Sequence, residues 1–183
     1  MKVLVVFADG FEEVEALAPV DTLRRAGASV VMAALKKNKE LTAEGSHGIT
    51  VKCDAALENV NCDEFDAVVI PGGLRGAKNL AASSLVGECL KSTDRRGALV
   101  CAICASPALV LYPLGILDGR KAVCYPGMEI ENSRAQFLTD RVCRDKNIIT
   151  SRGAGCAMEF ALEIVKALFG EEKALSLHDG MVC

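Results

Sequence analysis

The stretch Gly97–Leu111, GALVCAICASPALVL, decides the fold. Its first part, Leu99 to Cys104, is a short run of aliphatic and β-branched residues, which is typical of a buried strand. From Pro107 to Leu114 the pattern predicts a helix with proline in its first turn, where a missing N–H does no harm. A buried strand that leads directly into a helix is the building block of α/β folds.

Cys104 lies at the junction between this strand and this helix. The free N–H groups and the dipole at a helix start favour a thiolate over a thiol. The junction therefore predicts a nucleophile or an oxidation-sensitive thiol. The alternative interpretation is a buried structural cysteine, because free cysteine is among the most buried residue types.

The rest of the chain alternates strand and helix patterns, which favours a mostly parallel sheet with helices on both faces. At 183 residues it is long enough for one domain, which we expect to span residues 1–183. A charged connection is expected over Lys36–Glu44 and a hairpin over Asp140–Thr150. The remaining predicted strands are Lys2–Ala8, Ser29–Leu35, Ile49–Cys53 and Asp66–Ile70, and the remaining helices are Glu13–Ala26, Leu85–Thr93 and Met158–Phe169.

Composition excludes several classes of protein. The chain is 51% hydrophobic, with a formal net charge of -3 and only 4% aromatic residues, so nothing indicates a nucleic-acid surface. No apolar run approaches the ~20 residues of a transmembrane helix. The apolar start, Met1–Val6, is too short for a signal peptide, so we expect a cytosolic protein.

The nine cysteines do not follow a disulfide or metal pattern. An odd number without a secretion signal argues against a disulfide framework. Cys101 and Cys104 fit C-x-x-C by count, but residues three apart in a strand point to opposite faces. The two histidines, His47 and His178, have no spaced partners for zinc. We expect no metal and no cofactor.

Polar or glycine-rich segments follow three predicted strands, at the ends where α/β sheets form their sites. They are ADGFEEVE (8–15), Pro71–Gly73 and Cys104 itself. In the second segment, the backbone N–H groups of Gly72 and Gly73 can face an oxyanion.

Of the three glutamates in the first segment, Glu15 is the one we assign to the site. A favourable charge at the start of a helix is enough to explain Glu12 and Glu13. Glu15 stands between apolar residues and can point into the crevice. A carboxyl group there would have a raised pKa, stay protonated and donate a hydrogen bond to a thiolate.

Four motifs, in order, resemble the DJ-one/ThiJ/PfpI superfamily, in the branch of the parkinsonism-associated protein and its bacterial thiamine-named relatives. They are KVLVVFADGFEEVEALAPVDTLRRAG, VVIPGG, VCAICASP and TSRGAG. The resemblance covers nearly the whole chain. It implies a flavodoxin-like α/β sandwich and a homodimer with the helix Glu13–Ala26 at or near the interface.

The resemblance also implies roles for individual residues. Cys104 would be a reactive cysteine on a nucleophile elbow, Glu15 its supporting acid, and the amides of Gly73 and Ala105 the oxyanion donors. By similarity, Arg25 and the region of His47 would lie near the pocket mouth and the dimer interface.

The sequence departs from the family at three positions. Family peptidases have a histidine directly after the cysteine, whereas Ala105 stands here, so peptidase and amidotransferase chemistry is not expected. Tyr125 replaces a histidine that precedes a proline in several members, which weakens general-base catalysis. His47 stands where relatives often have arginine, which weakens anion contact near pH 7.

Three classes of function remain. The resemblance implies an enzyme for small reactive aldehydes or glycated substrates, either a glutathione-independent glyoxalase that converts methylglyoxal to lactate or a deglycase. The second class is a redox sensor or redox-regulated chaperone that works through oxidation of Cys104. The third is an interaction protein with vestigial chemistry. We expect a stress-protective protein centred on Cys104.

Overall fold

A computed structural model describes residues 1–35 and 40–183. Residues 36–39, which begin the predicted charged connection, lie outside the described residues. The strands are β1 (Lys2–Phe7), β2 (Ser29–Ala34), β3 (Thr42–Glu44), β4 (Thr50–Lys52), β5 (Ala55–Ala56), β6 (Ala67–Ile70), β7 (Leu99–Ile103), β8 (Lys121–Ala122), β9 (Gln136–Phe137), β10 (Val142–Asp145) and β11 (Ile148–Ser151). The α-helices are α1 (Glu13–Ala26), α2 (Leu74–Ala81), α3 (Ser84–Arg95), α4 (Ala157–Phe169) and α5 (Glu171–Gly180).

The central sheet has the strand order β10-β11-β7-β6-β1-β2-β5. Its neighbours pair in parallel, except that β10 forms an antiparallel hairpin with β11. The chain leaves β1 toward β2 on one side and later builds β6 and β7 on the other, so the order reverses between β1 and β6. Ligands of open α/β sheets bind beside the carboxyl ends of the strands at such a reversal.

Side chains of the central strands alternate between two hydrophobic cores, as the period of a strand requires. In β1, Val3, Val5 and Phe7 pack in the core under α1, α4 and α5, whereas Leu4 and Val6 pack under α2 and α3. The predicted mostly parallel sheet with helices on both faces is therefore confirmed, and the fold is a flavodoxin-like α/β fold. None of the described helices is both long and apolar enough to cross a bilayer.

The predicted elements with strong local patterns are confirmed. The bounds of α1 are those predicted, and Gly27 ends it with a φ of 94° that a glycine adopts without strain. The predicted hairpin turns at Lys146, whose φ is 56°. Of the charged connection, the described part contains β3 instead of an irregular segment.

One helical prediction was wrong, and two helices were not predicted. The stretch from Pro107 to Leu114 forms only five residues of π-helix, Pro107–Leu111, followed by turns. The sequence analysis missed α2, which is eight residues long and begins directly after a glycine turn, and α5. Gly170 ends α4 after Phe169, as predicted, and with a φ of 91° it leads directly into α5.

The structure contains a disulfide between Cys62 and Cys89, with their Cα atoms 5.5 Å apart. It connects a 3₁₀ turn at Cys62–Glu64 to α3. The expectation of no disulfide was therefore wrong: no local pattern links these two residues, which are 27 positions apart and come from separate elements. The other seven cysteines are free.

Reduction of this disulfide should destabilise the protein. A bond that closes a loop of this length restricts the unfolded chain and contributes about 3 kcal/mol to the free energy of unfolding. We expect denaturant unfolding to show that loss when dithiothreitol is added, and no effect of dithiothreitol on the double variant C62A/C89A. Nine titratable thiols in the denatured, unreduced wild-type protein would contradict the assignment.

Candidate active site

Cys104 stands on a sharp turn one residue beyond β7. Its φ of 64° is unusual for a residue with a side chain, and surrounding bonds must hold it there. Its N–H donates to the Ser151 carbonyl at 2.9 Å, and its carbonyl accepts from the Tyr125 N–H at 2.8 Å. The Ser106 hydroxyl donates to the Pro71 carbonyl at 2.6 Å. The elbow implied by the resemblance is present in the geometry, with the thiol partly exposed.

The turn after β6 passes so close to Cys104 that only glycine fits at position 72. A Cβ atom on Gly72 would lie closer than 3.0 Å to both the Glu15 carboxyl group and the Cys104 Cβ atom. Gly73, with a φ of 81°, passes equally close to the backbone of Gly10 and Phe11. The two glycines therefore bring the ends of β1, β6 and β7 together.

Glu15 lies beneath the thiol and is only 1% exposed. Its Oε2 accepts the Gly72 N–H at 2.9 Å, and it hydrogen-bonds Cys104. Burial raises the pKa of Glu15 to about 7, although the hydrogen bonds from Cys104 and Gly72 oppose that rise. The predicted raised pKa is thus confirmed. Gly72, which we expected to face an oxyanion, uses its N–H to hold Glu15 instead.

The resting thiol is less acidic than the sequence analysis predicted. Burial and the charge of Glu15 raise the pKa of Cys104 to about 12, against the lowering effect of the Gly73 and Ala105 N–H groups. The helix that was expected to favour the thiolate has only five residues. The two N–H groups that do face the sulfur are those that the resemblance implied.

Cys104 and Glu15 therefore act as one titrating pair. An ionised Glu15 raises the pKa of the thiol, and a protonated Glu15 removes that repulsion. A carboxylate with a pKa near 7 that hydrogen-bonds a thiol is suited to take its proton as the sulfur attacks an electrophile. The sequence analysis placed the proton on Glu15 in the resting site, whereas the raised pKa of Cys104 favours the thiol.

A cavity of about 560 Å³ opens above the sulfur, a size suited to a small molecule. Tyr125, the residue that replaces a family histidine, is half exposed and forms part of its wall. Its lining residues are Glu12, Ser46, His47, Gly73, Leu74, Cys104, Ala105, Tyr125, Pro126 and Met128.

His47 lines the cavity and is held by Glu13. The His47 N–H donates to Glu13 Oε1 at 2.7 Å, and Nδ1 lies 2.8 Å from Oε2. The sequence analysis missed this pair: it explained Glu13 by the helix start and found no partner for His47. Glu13 is instead only 5% exposed, and no local signal links residues 34 positions apart.

Arg25 lies away from the site. It is in the last turn of α1, whereas the first turn of that helix faces the cavity, and its Nε donates to Asp21 at 3.1 Å. The expectation that Arg25 lies near the pocket mouth was wrong because three helical turns separate it from Glu13.

One group of described residues brings possible metal ligands together. Atoms of Glu12, Glu13 and His47 lie within 4.8 Å of one another. Both carboxylate oxygens of Glu13 already accept hydrogen bonds from His47, so the geometry is that of a carboxylate–imidazole pair.

The chain belongs to the DJ-1/PfpI family, because the sequence profile of that family matches residues 1–167. It is 43% identical over 176 residues to Protein DJ-1 homolog B of Arabidopsis thaliana, covering 96% of this chain and 40% of that protein. It therefore spans about two fifths of that relative's length. It is 36% identical over 170 residues to a protein of Pyrococcus abyssi named as a deglycase, covering 92% of this chain and 99% of that protein.

The fold is also similar to a solved structure, Toxoplasma gondii DJ-1 in an oxidized form. The TM-score is 0.91 at 38% sequence identity, and the match covers 99% of this chain and 97% of that chain. The family resemblance drawn from the motifs is thus confirmed by both sequence and structure.

The reactivity of Cys104 should follow the titration of Glu15. We expect its alkylation by iodoacetamide, measured on the Cys104 peptide by mass spectrometry, to rise as pH passes about 7, where Glu15 becomes able to take the thiol proton. In Glu15→Gln that inflection should move to higher pH, because an amide cannot accept the proton. The control Glu12→Gln should keep it, shifted slightly downward, since the Glu12 charge helps to raise the pKa of Glu15. An unchanged profile in Glu15→Gln would refute the coupling.

Proposed function

We propose that this protein is a stress-protective, cysteine-dependent enzyme that converts small reactive 2-oxoaldehydes to 2-hydroxy acids, as a glutathione-independent glyoxalase or deglycase. The observation that carries the proposal is the Cys104–Glu15 pair: a thiol on an elbow, two N–H groups aimed at its sulfur, and a buried carboxyl group with a pKa of about 7. These are a nucleophile, oxyanion donors and a proton carrier at one cavity.

The reaction with methylglyoxal begins as the Cys104 sulfur adds to the aldehyde carbon and Glu15 takes the thiol proton. The oxygen of the resulting hemithioacetal accepts hydrogen bonds from the Gly73 and Ala105 N–H groups. Glu15 first gives the thiol proton to that oxygen. It then takes the proton from the former aldehyde carbon and places it on the neighbouring carbon, while the hydroxyl proton passes to the neighbouring oxygen, which gives an S-lactoyl thioester. Water hydrolyses the thioester to lactate and restores the thiol, so methylglyoxal and one water become lactate.

The same first step supports a deglycase activity. An adduct of methylglyoxal with an amine has a carbon that bears a hydroxyl group and the amine next to a carbonyl group. Attack of the Cys104 sulfur on that carbon would break the carbon–nitrogen bond, and the thiol proton would leave with the amine. The relative from Pyrococcus abyssi that bears the name deglycase supports this version. The described residues that line the cavity include no lysine or arginine, which suits neutral aldehydes and cationic amine adducts.

A second candidate function, redox sensing, rests on the partial exposure of Cys104. Oxidation to sulfinic acid would place oxygens where the Gly73 and Ala105 N–H groups already point. The name of the Toxoplasma gondii structure records an oxidized form of that relative. A sensor needs Glu15 only to tune oxidation, whereas the enzyme needs it to carry protons.

Lactate production from methylglyoxal tests the enzyme directly. We expect the wild-type protein to form lactate, Cys104→Ser to form none, and Glu15→Gln to lose roughly 10²-fold or more of its turnover while its thiol can still be alkylated. Glu15→Leu should lose turnover as well. Full turnover by Glu15→Gln would reject Glu15 as the proton carrier. Normal peroxide oxidation of Cys104 in a wild-type protein without lactate formation would favour the sensor.

We further propose that the chain forms a homodimer through the face of α1. Val14 on α1 and Ile49, which directly precedes β4, are large apolar side chains that are each 53% exposed and so are available to a partner. Light scattering at micromolar concentration should give twice the mass of the chain. Val14→Arg should raise the dissociation constant about tenfold or more, whereas Leu175→Arg, an equally exposed site on α5, should not. A monomeric wild-type protein would contradict this proposal.

A further inference from the structure

His47 and Glu13 form a carboxylate–imidazole pair at the cavity mouth. Both oxygens of Glu13 bind His47, one through the backbone N–H and one through Nδ1. Glu13 is buried, and Gly45 packs directly against its carboxyl group. The loop that carries His47 is also held in place, because the Ser46 N–H donates to the Phe11 carbonyl at 2.8 Å.

This arrangement uses Nδ1 of His47, whereas Glu13 does not contact the second ring nitrogen, Nε2. With Nδ1 donating to Glu13, a neutral ring carries its lone pair on Nε2. The His47 side chain is 68% exposed and lines the same cavity as Cys104. A buried carboxylate that fixes an imidazole tautomer, in the same cavity as a nucleophilic residue, is an arrangement that hydrolytic enzymes use to activate water or a nucleophile.

Glu15 does not occupy a position that suits this task. It lies beneath the sulfur at 1% exposure and is not part of the cavity wall, whereas water reaches the site from the cavity. Water from the cavity would therefore approach the thioester carbon from the face opposite Glu15. Hydrolysis therefore needs a base on the open side of the sulfur.

We propose that His47 is a second catalytic residue of this site, the base that activates water for hydrolysis of the S-acyl intermediate, with Glu13 as its positioning residue. The proposal rests on the proposed function. His47 Nε2 takes a proton from water as the water oxygen adds to the thioester carbonyl carbon. The carbon–sulfur bond then breaks, the proton passes from Nε2 to the Cys104 sulfur, and the hydroxy acid leaves.

The charges around His47 set the pH at which it can act. Glu12 and Glu13 face it from the start of α1, and Cys104 and Tyr125 line the same cavity. The hydrogen bond to Glu13, together with the charges of Glu12 and Glu13, raises the pKa of His47. The base form is therefore gained at a higher pH than in a free histidine, and hydrolysis should speed up as pH rises through that range.

Rapid-quench mass spectrometry with methylglyoxal tests the role. In His47→Gln we expect steady lactate formation to fall roughly 10²-fold and an adduct of one methylglyoxal mass to accumulate on Cys104. Hydroxylamine should cleave that adduct, as it cleaves a thioester and not a hemithioacetal. Glu13→Gln should show the same behaviour more weakly. The control His178→Gln, which changes an exposed histidine on α5, should behave as wild type.

A second measurement examines the pair without turnover. In a Cys104→Ser background, titration of the His47 ring followed by nuclear magnetic resonance should show a pKa that falls when Glu13 is changed to Gln, while the His178 signal stays unchanged. An unaffected His47 signal would overturn the role of Glu13.

The outcomes separate this inference from the proposed function. A wild-type protein that forms no lactate overturns both. Lactate formation by the wild type together with full turnover by His47→Gln overturns only this inference. Loss of turnover in His47→Gln without a hydroxylamine-sensitive adduct also overturns it, because His47 would then act before the thioester.

Discussion

The hydrogen bond from the Gly72 N–H to the buried Glu15 carboxyl group is the contact on which the site depends. It joins α1 to the turn after β6, directly below the elbow at Cys104. A carboxyl group with so little exposure needs hydrogen-bond partners, because its burial without them costs several kcal/mol. Glycine at position 72 is what allows the carboxyl group and the sulfur to approach. The sheet order, with β6 between β1 and β7, places all three segments at one edge.

Local patterns predicted the frame of this site, whereas long-range contacts completed it. The bounds of α1 and the ends of β1, β6 and β7 follow from short apolar runs and from glycines, so the sequence could locate Cys104 and Glu15. The bond between Cys62 and Cys89 and the contact of Glu13 with His47 join residues far apart in sequence. The hydrophobic periodicity of the sequence does not predict such pairs, because each forms only when separate elements pack together.

The acidity of Cys104 shows why a correct motif can still yield a wrong electrostatic prediction. The sequence indicated a helix start, whose dipole favours a thiolate. In the structure that helix has only five residues, and the buried Glu15 carboxyl group lies next to the sulfur. Burial and like charge then outweigh the two N–H groups, and the reactive form depends on where the pair holds its proton. That balance depends on how the elements pack, so it cannot be predicted from the order of residues in the sequence.

Glu13 and Glu15 show how one helix start supplies two carboxyl groups with opposite tasks. Both are buried, and burial acts to raise both pKa values. At Glu13 the hydrogen bonds from His47 overcome burial and lower the pKa, which fixes a permanent charge. At Glu15 burial prevails, and the pKa rises to about 7. Environments that separate the pKa values of neighbouring acids assign their roles: the fixed charge orients an imidazole, and the titrating group carries protons.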